Sequence, residues 1–191
     1  MSVFSPNDVP IVLILAAGAG RRFRVSGGAT HKLDAVIAGT TVLAHVAESA
    51  QRSGLPVHVV GHAAGSGMGD SIAAGVAATP GARGWLILPG DLPAIRTESI
   101  LAVARALEHD SVVVPHWQGE AGHPVGFKRE CGPALAALTG DKGAAAIVRM
   151  HRSRGEVHDL ELNDRGIVMD VDTVDDLARV EAYMRQRHTC T

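Results

Sequence analysis

Short unbroken apolar runs alternate along the chain with stretches in which apolar residues recur at helical spacing. Ile11 to Leu15 is such a run and ends in a glycine-rich segment, as a buried parallel strand does where it hands over to a loop. Val42, Leu43, Val46, Ala47 and Ala50 then follow a helical period, and Gly54-Leu55-Pro56 stops that helix before a strand over Val57 to Val60. Gly65 to Gly69 reads as a second glycine-rich turn, leading into a helix from Asp70 to Ala78. A buried strand from Trp85 to Leu88 ends at Pro89-Gly90-Asp91. A helix from Glu98 to Glu108 precedes a strand from Ser111 to Pro115.

Beyond Pro115 the alternation loosens. His116 to Gly122 reads as a hairpin tip, Val125 to Phe127 as a short strand, and Gly132 to Leu138 and Gly140 to Arg152 as helices. Val157 to Leu160 and Ile167 to Val171 read as strands, and Thr173 to Arg187 as a closing helix. That helix opens on Thr173-Val174-Asp175-Asp176, a capping-box pattern, with Leu177, Val180 and Met184 as its buried stripe. The expected fold is α/β: one doubly wound, mostly parallel sheet with a small antiparallel insertion. Ligands of such sheets lie at the carboxyl ends of the strands, where both glycine loops and Asp91 fall. Residues 1–191 read as one domain, with 1–9 and 188–191 as frayed ends.

Composition narrows the candidates. A net charge of −2 with scattered basic residues removes the electrostatic case for nucleic acid and favours a small-molecule partner. No apolar run approaches the roughly 20 residues that span a bilayer, and no basic segment leads into a long apolar stretch at the N-terminus. Cys131 and Cys190 lie far apart in sequence, which argues against a disulfide framework and for a reducing, cytoplasmic setting. With aromatics at only 3%, Ala, Val, Leu and Ile must fill the core.

The chemistry concentrates at strand ends. Leu15-Ala16-Ala17-Gly18-Ala19-Gly20-Arg21-Arg22 offers backbone that a ligand can approach closely, followed by Arg21, Arg22 and Lys32 as cations for phosphate oxygens. The segment is neither a Walker motif, since no Gly-Lys-Ser/Thr follows, nor a dinucleotide fingerprint, since Phe23 stands at the third glycine position. A surface turn with solvated arginines is the plainer alternative. Asp91 is pinned between Gly90 and Leu92-Pro93, where it caps a turn or presents a carboxylate. Asp170 and Asp172, at the end of the expected strand over Ile167 to Val171, point to one face by their period-2 spacing. Two acids from separate strands can share one Mg²⁺, which takes oxygen ligands and completes its shell with phosphates and water. Asp172 reads equally as a helix cap beside Thr173. His58-x-x-x-His62 is a poor zinc pair, because a strand-to-loop segment does not hold that interval on one face. His123 reads either as a lining residue or as packing on Trp117.

Taken in order, Leu15-Ala16-Ala17-Gly18-x-Gly20-x-Arg22, Lys32-Leu33, Gly67-Met68-Gly69-x-Ser71, Pro89-Gly90-Asp91-Leu92-Pro93, Gly122-His123-Pro124-Val125, Gly140-Asp141-Lys142-Gly143-Ala144 and Asp170-Val171-Asp172-Thr173 resemble the molybdenum cofactor cytidylyltransferases of the MobA-like nucleoside triphosphate transferase family. The resemblance runs from about Ile11 to Tyr183. It implies a Rossmann-like fold of the nucleotide-diphospho-sugar transferase type and transfer of CMP from CTP to the terminal phosphate of molybdopterin cofactor, with release of pyrophosphate and with Mg²⁺ as cofactor. A molybdoenzyme would then receive the product.

The family's triphosphate loop falls on Leu15, Ala16, Ala17, Gly18, Gly20 and Arg22, its phosphate lysine on Lys32, and its nucleotide-base loop on Gly67, Gly69 and Ser71. The metal acids fall on Asp91 and Asp172, with Asp170 as a further partner, and the acceptor side on Gly122, His123 and Pro124. Arg22, Lys32 and Asp91 take the catalytic roles. The branch that uses GTP typically has two glycines in place of Ala16-Ala17, so the resemblance favours CTP, with GTP or a sugar-phosphate reaction as alternatives. A non-catalytic cofactor-binding maturation partner is the alternative outside enzymology. Phe23 to His31, between Arg22 and Lys32, is longer than the compact stretch usual in the family.

Overall fold

Strand residues on the two faces of the sheet feed two separate apolar layers. The computed structural model describes residues 9–18, 20–61 and 67–189. Ala19, His62, Gly65 and Cys190, which entered the readings above, lie outside the described residues. In β1 (Ile11–Leu15), Val12 and Ile14 face one layer and Leu13 the other. In β5 (Gly84–Pro89), Leu86 and Leu88 face the first and Trp85 and Ile87 the second. In β6 (Val112–Trp117), Val113 faces the first, and Val112 and Val114 the second. Burial on both faces is why these strands read as unbroken apolar runs.

The first layer is closed by α2 (Val42–Arg52) and α4 (Thr97–Ala106), through Val46, Ala50, Ile100 and Val103. The second is closed by α3 (Met68–Ala78), α5 (Gly132–Ala136) and α6 (Ala145–Arg152), through Ile72, Val76, Leu135 and Ile147. A fully buried aliphatic side chain contributes about 1.5–3 kcal/mol, so these layers dominate the fold's stability.

The main sheet runs β4 (Val57–Val60), β1, β5, β8 (Val125–Lys128), β6, with β7 (Glu120–Ala121) and β9 (Val157–Glu161) also paired to β6. Pairings β4–β1, β1–β5 and β6–β9 are parallel, whereas β8 is antiparallel to both β5 and β6. The antiparallel segment β8 is therefore threaded through the middle of the sheet, and β7 turns back on β6 at Gln118-Gly119. The carboxyl ends of β1 and β5 are in register, Leu15 opposite Pro89, so the loops that follow them start side by side.

A third apolar cluster lies under those loops. It gathers Ala16, Phe23, Leu33, Ala35, Ile37, Val42, Ala94, Met169, Val171, Val180 and Met184. Its members come from α1 (Arg21–Val25), from the small hairpin of β2 (Val36–Ile37) and β3 (Thr40–Thr41), and from α7 (Val174–Thr189). This cluster fixes the backbone at Lys32, which precedes Leu33, and at Asp170 and Asp172, which flank Val171.

Two sequence readings are corrected. Ile167 to Val171 is not a strand: Arg165–Val168 is a 3-10 turn, followed by irregular chain. The cause is Asp164, 2% exposed, whose carboxylate accepts from the Gly166 N–H (2.9 Å), the Arg96 N–H (3.0 Å) and the Ser99 hydroxyl (2.7 Å), tying the segment to the start of α4. The helix expected from Gly140 starts only at Ala145. Gly140 takes φ +63°, and its N–H is held by the Asp70 carboxylate at 2.9 Å, so residues 140–144 serve as a turn docked on α3.

Candidate active site

Gly20 occupies the left-handed region (φ 58°) at the start of α1, a conformation that costs a side-chain-bearing residue more than glycine. The turn it makes allows α1 to fold the stretch between Arg22 and Lys32 back on itself. Ser26 N–H bonds the Arg22 carbonyl at 3.0 Å, and Gly28 N–H bonds that of Phe23 at 3.0 Å. The added length of Phe23 to His31 is absorbed there, and Lys32 returns to the strand ends.

Lys32 Nζ lies 2.6 Å from Asp91 Oδ2 and 2.8 Å from Asp172 Oδ1, and Arg22 Nη1 lies 2.6 Å from Asp172 Oδ2. The lysine and Asp91 side chains are 12% and 17% exposed, Asp172 is 29% exposed, and Arg22 is 80% exposed. Burial works against the lysine's charge, but the two carboxylates outweigh it and hold its pKa above the ordinary value. The Lys32 hydrogen bond is the chief cause of the lowered Asp172 pKa, with Arg22 adding to it. Asp170 carries the opposite shift: burial, and then Asp91 and Asp172, push its carboxyl up. Asp91 Oδ1 is buried and has no hydrogen-bond partner among the described residues.

Geometry bears on the alternatives for Asp172 and His123. The cap of α7 is Thr173, whose hydroxyl accepts from Asp176 N–H at 3.1 Å, while Asp176 Oδ2 accepts from Thr173 N–H at 2.8 Å. The Asp172 carboxylate is left to face the cations. His123 N–H bonds the Ile167 carbonyl at 3.0 Å, whereas Trp117 carries the Arg165 guanidinium 5.3 Å from its ring centre. Burial lowers the His123 pKa against the pull of Asp91 and a hydrogen bond to the Ile87 backbone, and its Nδ1 is buried without a partner among the described residues.

Two clefts meet at this cluster. One, of about 470 Å³, is lined by Leu15, Ala17, Gly18, Arg21, Lys32, Gly67, Ser71, Asp91 and Asp141 among others. The other, of about 420 Å³, is lined by Lys32, Asp91, Glu120, Gly122, His123, Asp170 and Asp172 among others. Lys32 and Asp91 belong to both.

Some expected residues stand back from these clefts, and others line them while held by contacts of their own. Ala16 is buried, and its N–H is bonded to the Val60 carbonyl at 2.9 Å. Arg22 points to Asp172 while its neighbour Arg21 lines the first cleft. Successive helical residues point about 100° apart, so the pair divides between the two directions. Gly69 N–H is bonded to the Gly140 carbonyl at 2.8 Å, and the Ser71 hydroxyl donates to the Gly67 carbonyl at 2.9 Å. Gly67 is required by packing, since a Cβ there would sit 2.1 Å from the Gly140 carbonyl. Pro124 is buried behind Gly122 and His123 and does not line the second cleft. Glu120, outside the motifs, and Asp141, inside the Gly140 motif but given no role there, are also lining residues. Their signal was only their place in turns after helix and strand ends.

The sequence profile of the MobA-like NTP transferase domain matches residues 12–157, which span the first cleft, Asp91 and His123. The chain belongs to the MobA-like NTP transferase family. This MobA-like chain is 32% identical over 121 residues to the purine catabolism protein PucB of Bacillus subtilis, covering 62% of the chain and 58% of PucB. It is 32% identical over 162 residues to the bifunctional protein GlmU of Xylella fastidiosa, covering 73% of the chain but 35% of GlmU. The aligned region thus spans little more than half of one relative and about a third of the other. Among solved structures, the MobA-like fold superposes on Rv0371c from Mycobacterium tuberculosis with a TM-score of 0.75 at 25% identity, covering 91% of this chain and 98% of that one. Rv0371c has also been solved in complex with manganese. The family is one of nucleotidyltransferases. Among the described residues, no helix is long and apolar enough to cross a membrane.

Proposed function

We propose that this nucleotidyltransferase moves CMP from CTP to the terminal phosphate of molybdopterin cofactor and releases pyrophosphate. The observation that carries the reading is the convergence of Lys32, Asp91 and Asp172 at the junction of two clefts, one for each substrate. Leu15, Ala17, Gly18, Arg21, Gly67 and Ser71 would receive the donor, with Ala16, Gly20 and Gly69 shaping the walls behind them. Gly122 and His123, backed by Pro124, would border the acceptor. The Ala16-Ala17 pair supports CTP over GTP.

Magnesium fits the residues present. Two carboxylate oxygens already converge on a single cation, the Lys32 ammonium, and Asp91 Oδ1 is a buried oxygen still lacking a partner. Hard oxygen ligands of this kind suit Mg²⁺ or Mn²⁺, and the manganese complex of Rv0371c supports the same class of ion. Asp91 and Asp172 would hold it, with Asp170 beside them. When bound, the ion draws charge from the phosphate oxygens of the donor.

The chain's own residues supply alignment and charge. Lys32 and Arg21 face the donor cleft and offset charge that builds on the departing pyrophosphate, while Arg22 braces Asp172 from outside. A phosphate monoester acceptor has a second pKa near about 6, so it arrives already ionised and needs no base. His123, kept neutral by burial, is then free to act as a hydrogen-bond acceptor through Nδ1.

A second reading is favoured by the charge of the acceptor cleft. Asp91, Glu120, Asp170 and Asp172 face it, with Lys32 the single cationic side chain among its described lining residues. That balance suits a hydroxyl-rich acceptor such as a sugar phosphate. The two readings are separated by offering each of the four α-labelled nucleoside triphosphates with Mg²⁺ and either molybdopterin cofactor or a panel of sugar 1-phosphates. Label from CTP joined to molybdopterin supports the first reading. Label joined to a sugar phosphate supports the second. Cofactor bound with no pyrophosphate released from any nucleotide indicates a binding partner of molybdoenzyme maturation.

A further inference from the structure

A single ammonium group stands where the proposed metal would be held. Lys32 Nζ bonds one oxygen of Asp91 and one of Asp172, and Arg22 takes the other oxygen of Asp172. The carboxylate pair is thereby matched by two cations from the chain itself. A divalent ion arriving between the same oxygens would meet the lysine at close range, where like charges in a partly buried site repel strongly. The ion and the ammonium cannot share the position.

Lys32 has somewhere else to go. It lines the donor cleft as well as the acceptor cleft, on a flexible four-carbon stem that can swing between them. A triphosphate in the donor cleft would offer its ammonium a second set of anionic oxygens. Metal and nucleotide would then be taken up together, each removing the obstacle to the other, whereas a bare metal ion would have to evict the lysine into a cleft whose described lining offers it, besides the shared Asp91, the single carboxylate of Asp141 in place of a triphosphate.

We propose that Lys32 is the resident counter-ion of the Asp91–Asp172 pair and exchanges from these carboxylates to the donor phosphates on binding, so that the site takes a divalent ion with a triphosphate and discriminates against the ion alone. This rests on the metal assignment to Asp91 and Asp172. It adds that Lys32 is a positioning residue that opposes metal binding in the absence of nucleotide.

The test uses Mn²⁺ as probe, its free concentration followed by electron paramagnetic resonance, and inorganic tripolyphosphate as an anion common to all donors. Four forms of the full chain are compared: wild type, Lys32→Met, Asp91→Asn and the double variant. Lys32→Gln replaces Lys32→Met if circular dichroism shows a loss of helix.

Lys32→Met should bind bare Mn²⁺ about tenfold or more tightly than wild type, the opposite of what loss of a merely structural lysine would do. Tripolyphosphate should tighten Mn²⁺ binding several-fold in wild type and much less in Lys32→Met, since the obstacle it relieves is already gone. Asp91→Asn should abolish the tight site in both backgrounds. Equal or weaker bare Mn²⁺ binding by Lys32→Met, with the site still lost in Asp91→Asn, overturns the exchange and leaves the metal assignment standing. Mn²⁺ binding unmoved by Asp91→Asn in either background overturns the metal assignment itself.

Discussion

Lys32 and Asp91 are 59 positions apart in sequence, yet their charged ends lie 2.6 Å apart at the junction of two clefts. The lysine is held there by Leu33 and Ala35, buried in the cluster beneath the first loop. The aspartate follows directly from a buried parallel strand. Each is placed by apolar packing rather than by the ion pair, so the pair can be altered without loss of the fold.

Asp172→Asn tests that separation. Substitution should leave the far-ultraviolet circular dichroism unchanged, because Thr173 and Asp176 cap α7 independently. The rate of pyrophosphate release should fall by about a hundredfold or more through loss of one metal oxygen. A large drop in helicity with the rate preserved would assign Asp172 to structure instead.

Asp164 shows how a residue outside the motifs places the site. Its carboxylate is buried and accepts three hydrogen bonds that tie residues 164–168 to α4, just ahead of Asp170 and Asp172. Asp164→Ala leaves those donors unpaired and should cost about 3 kcal/mol. In a chain of this length that lowers the melting temperature by roughly 6–12 °C, measured by calorimetry. A shift under about 2 °C would mean that water replaces the carboxylate.

The core strands themselves were legible because both faces of β1, β5 and β6 are buried, and that leaves runs of Val, Ile and Leu with turn residues at their ends. Ile167 to Val171 shows the same composition but is not a strand. Its backbone is claimed by Asp164 and, at Val171 N–H, by the Asp91 carbonyl, long-range contacts that no local pattern announces. The division of labour between Arg21 and Arg22 was equally hidden. Both are arginines of one loop, and only the helix that starts at Arg21 decides which faces the cleft. Gly67 and Gly69 read as glycines of a nucleotide-base loop, and Gly67 lines the donor cleft, but both are also pressed against the turn at Gly140, whose φ of +63° and bond to Asp70 could not be foreseen from spacing.

Gly67→Ala follows from that contact. A Cβ would fall 2.1 Å from the Gly140 carbonyl, and the partner atoms are backbone, so α3 and the 140–144 turn must separate. The expected cost is about 2 kcal/mol in urea denaturation, together with weaker nucleotide binding, since both segments border the donor cleft. Unchanged stability would show that the turn moves freely.

Cys131 provides a pH-dependent signature remote from the clefts. It is buried, and burial, followed by Glu130 and Glu156, pushes its thiol up to about 11. A raised folded pKa stabilises the fold fully below the unfolded thiol value of about 8.5 and loses that contribution as pH rises towards the folded value. In a Cys190→Ser background, the native protein should give no reaction with a disulfide reagent at pH 8, and one thiol on unfolding. Its urea midpoint should fall between pH 8 and 10.5, and should fall less when Cys131 is also replaced by Ala. Rapid native labelling at pH 8 would contradict the burial of the thiol.

The most direct test of the proposed reaction centre is the rate of pyrophosphate release from CTP and molybdopterin cofactor with saturating Mg²⁺, in wild type and Asp91→Asn. Asp91 supplies one bonded oxygen to Lys32 and one buried oxygen without a partner, so its loss should remove both the metal hold and the anchor of the lysine. The account predicts pyrophosphate release by wild type and a fall of at least about a thousandfold in Asp91→Asn with the circular dichroism spectrum intact. Near-wild-type turnover by a folded Asp91→Asn protein would contradict it.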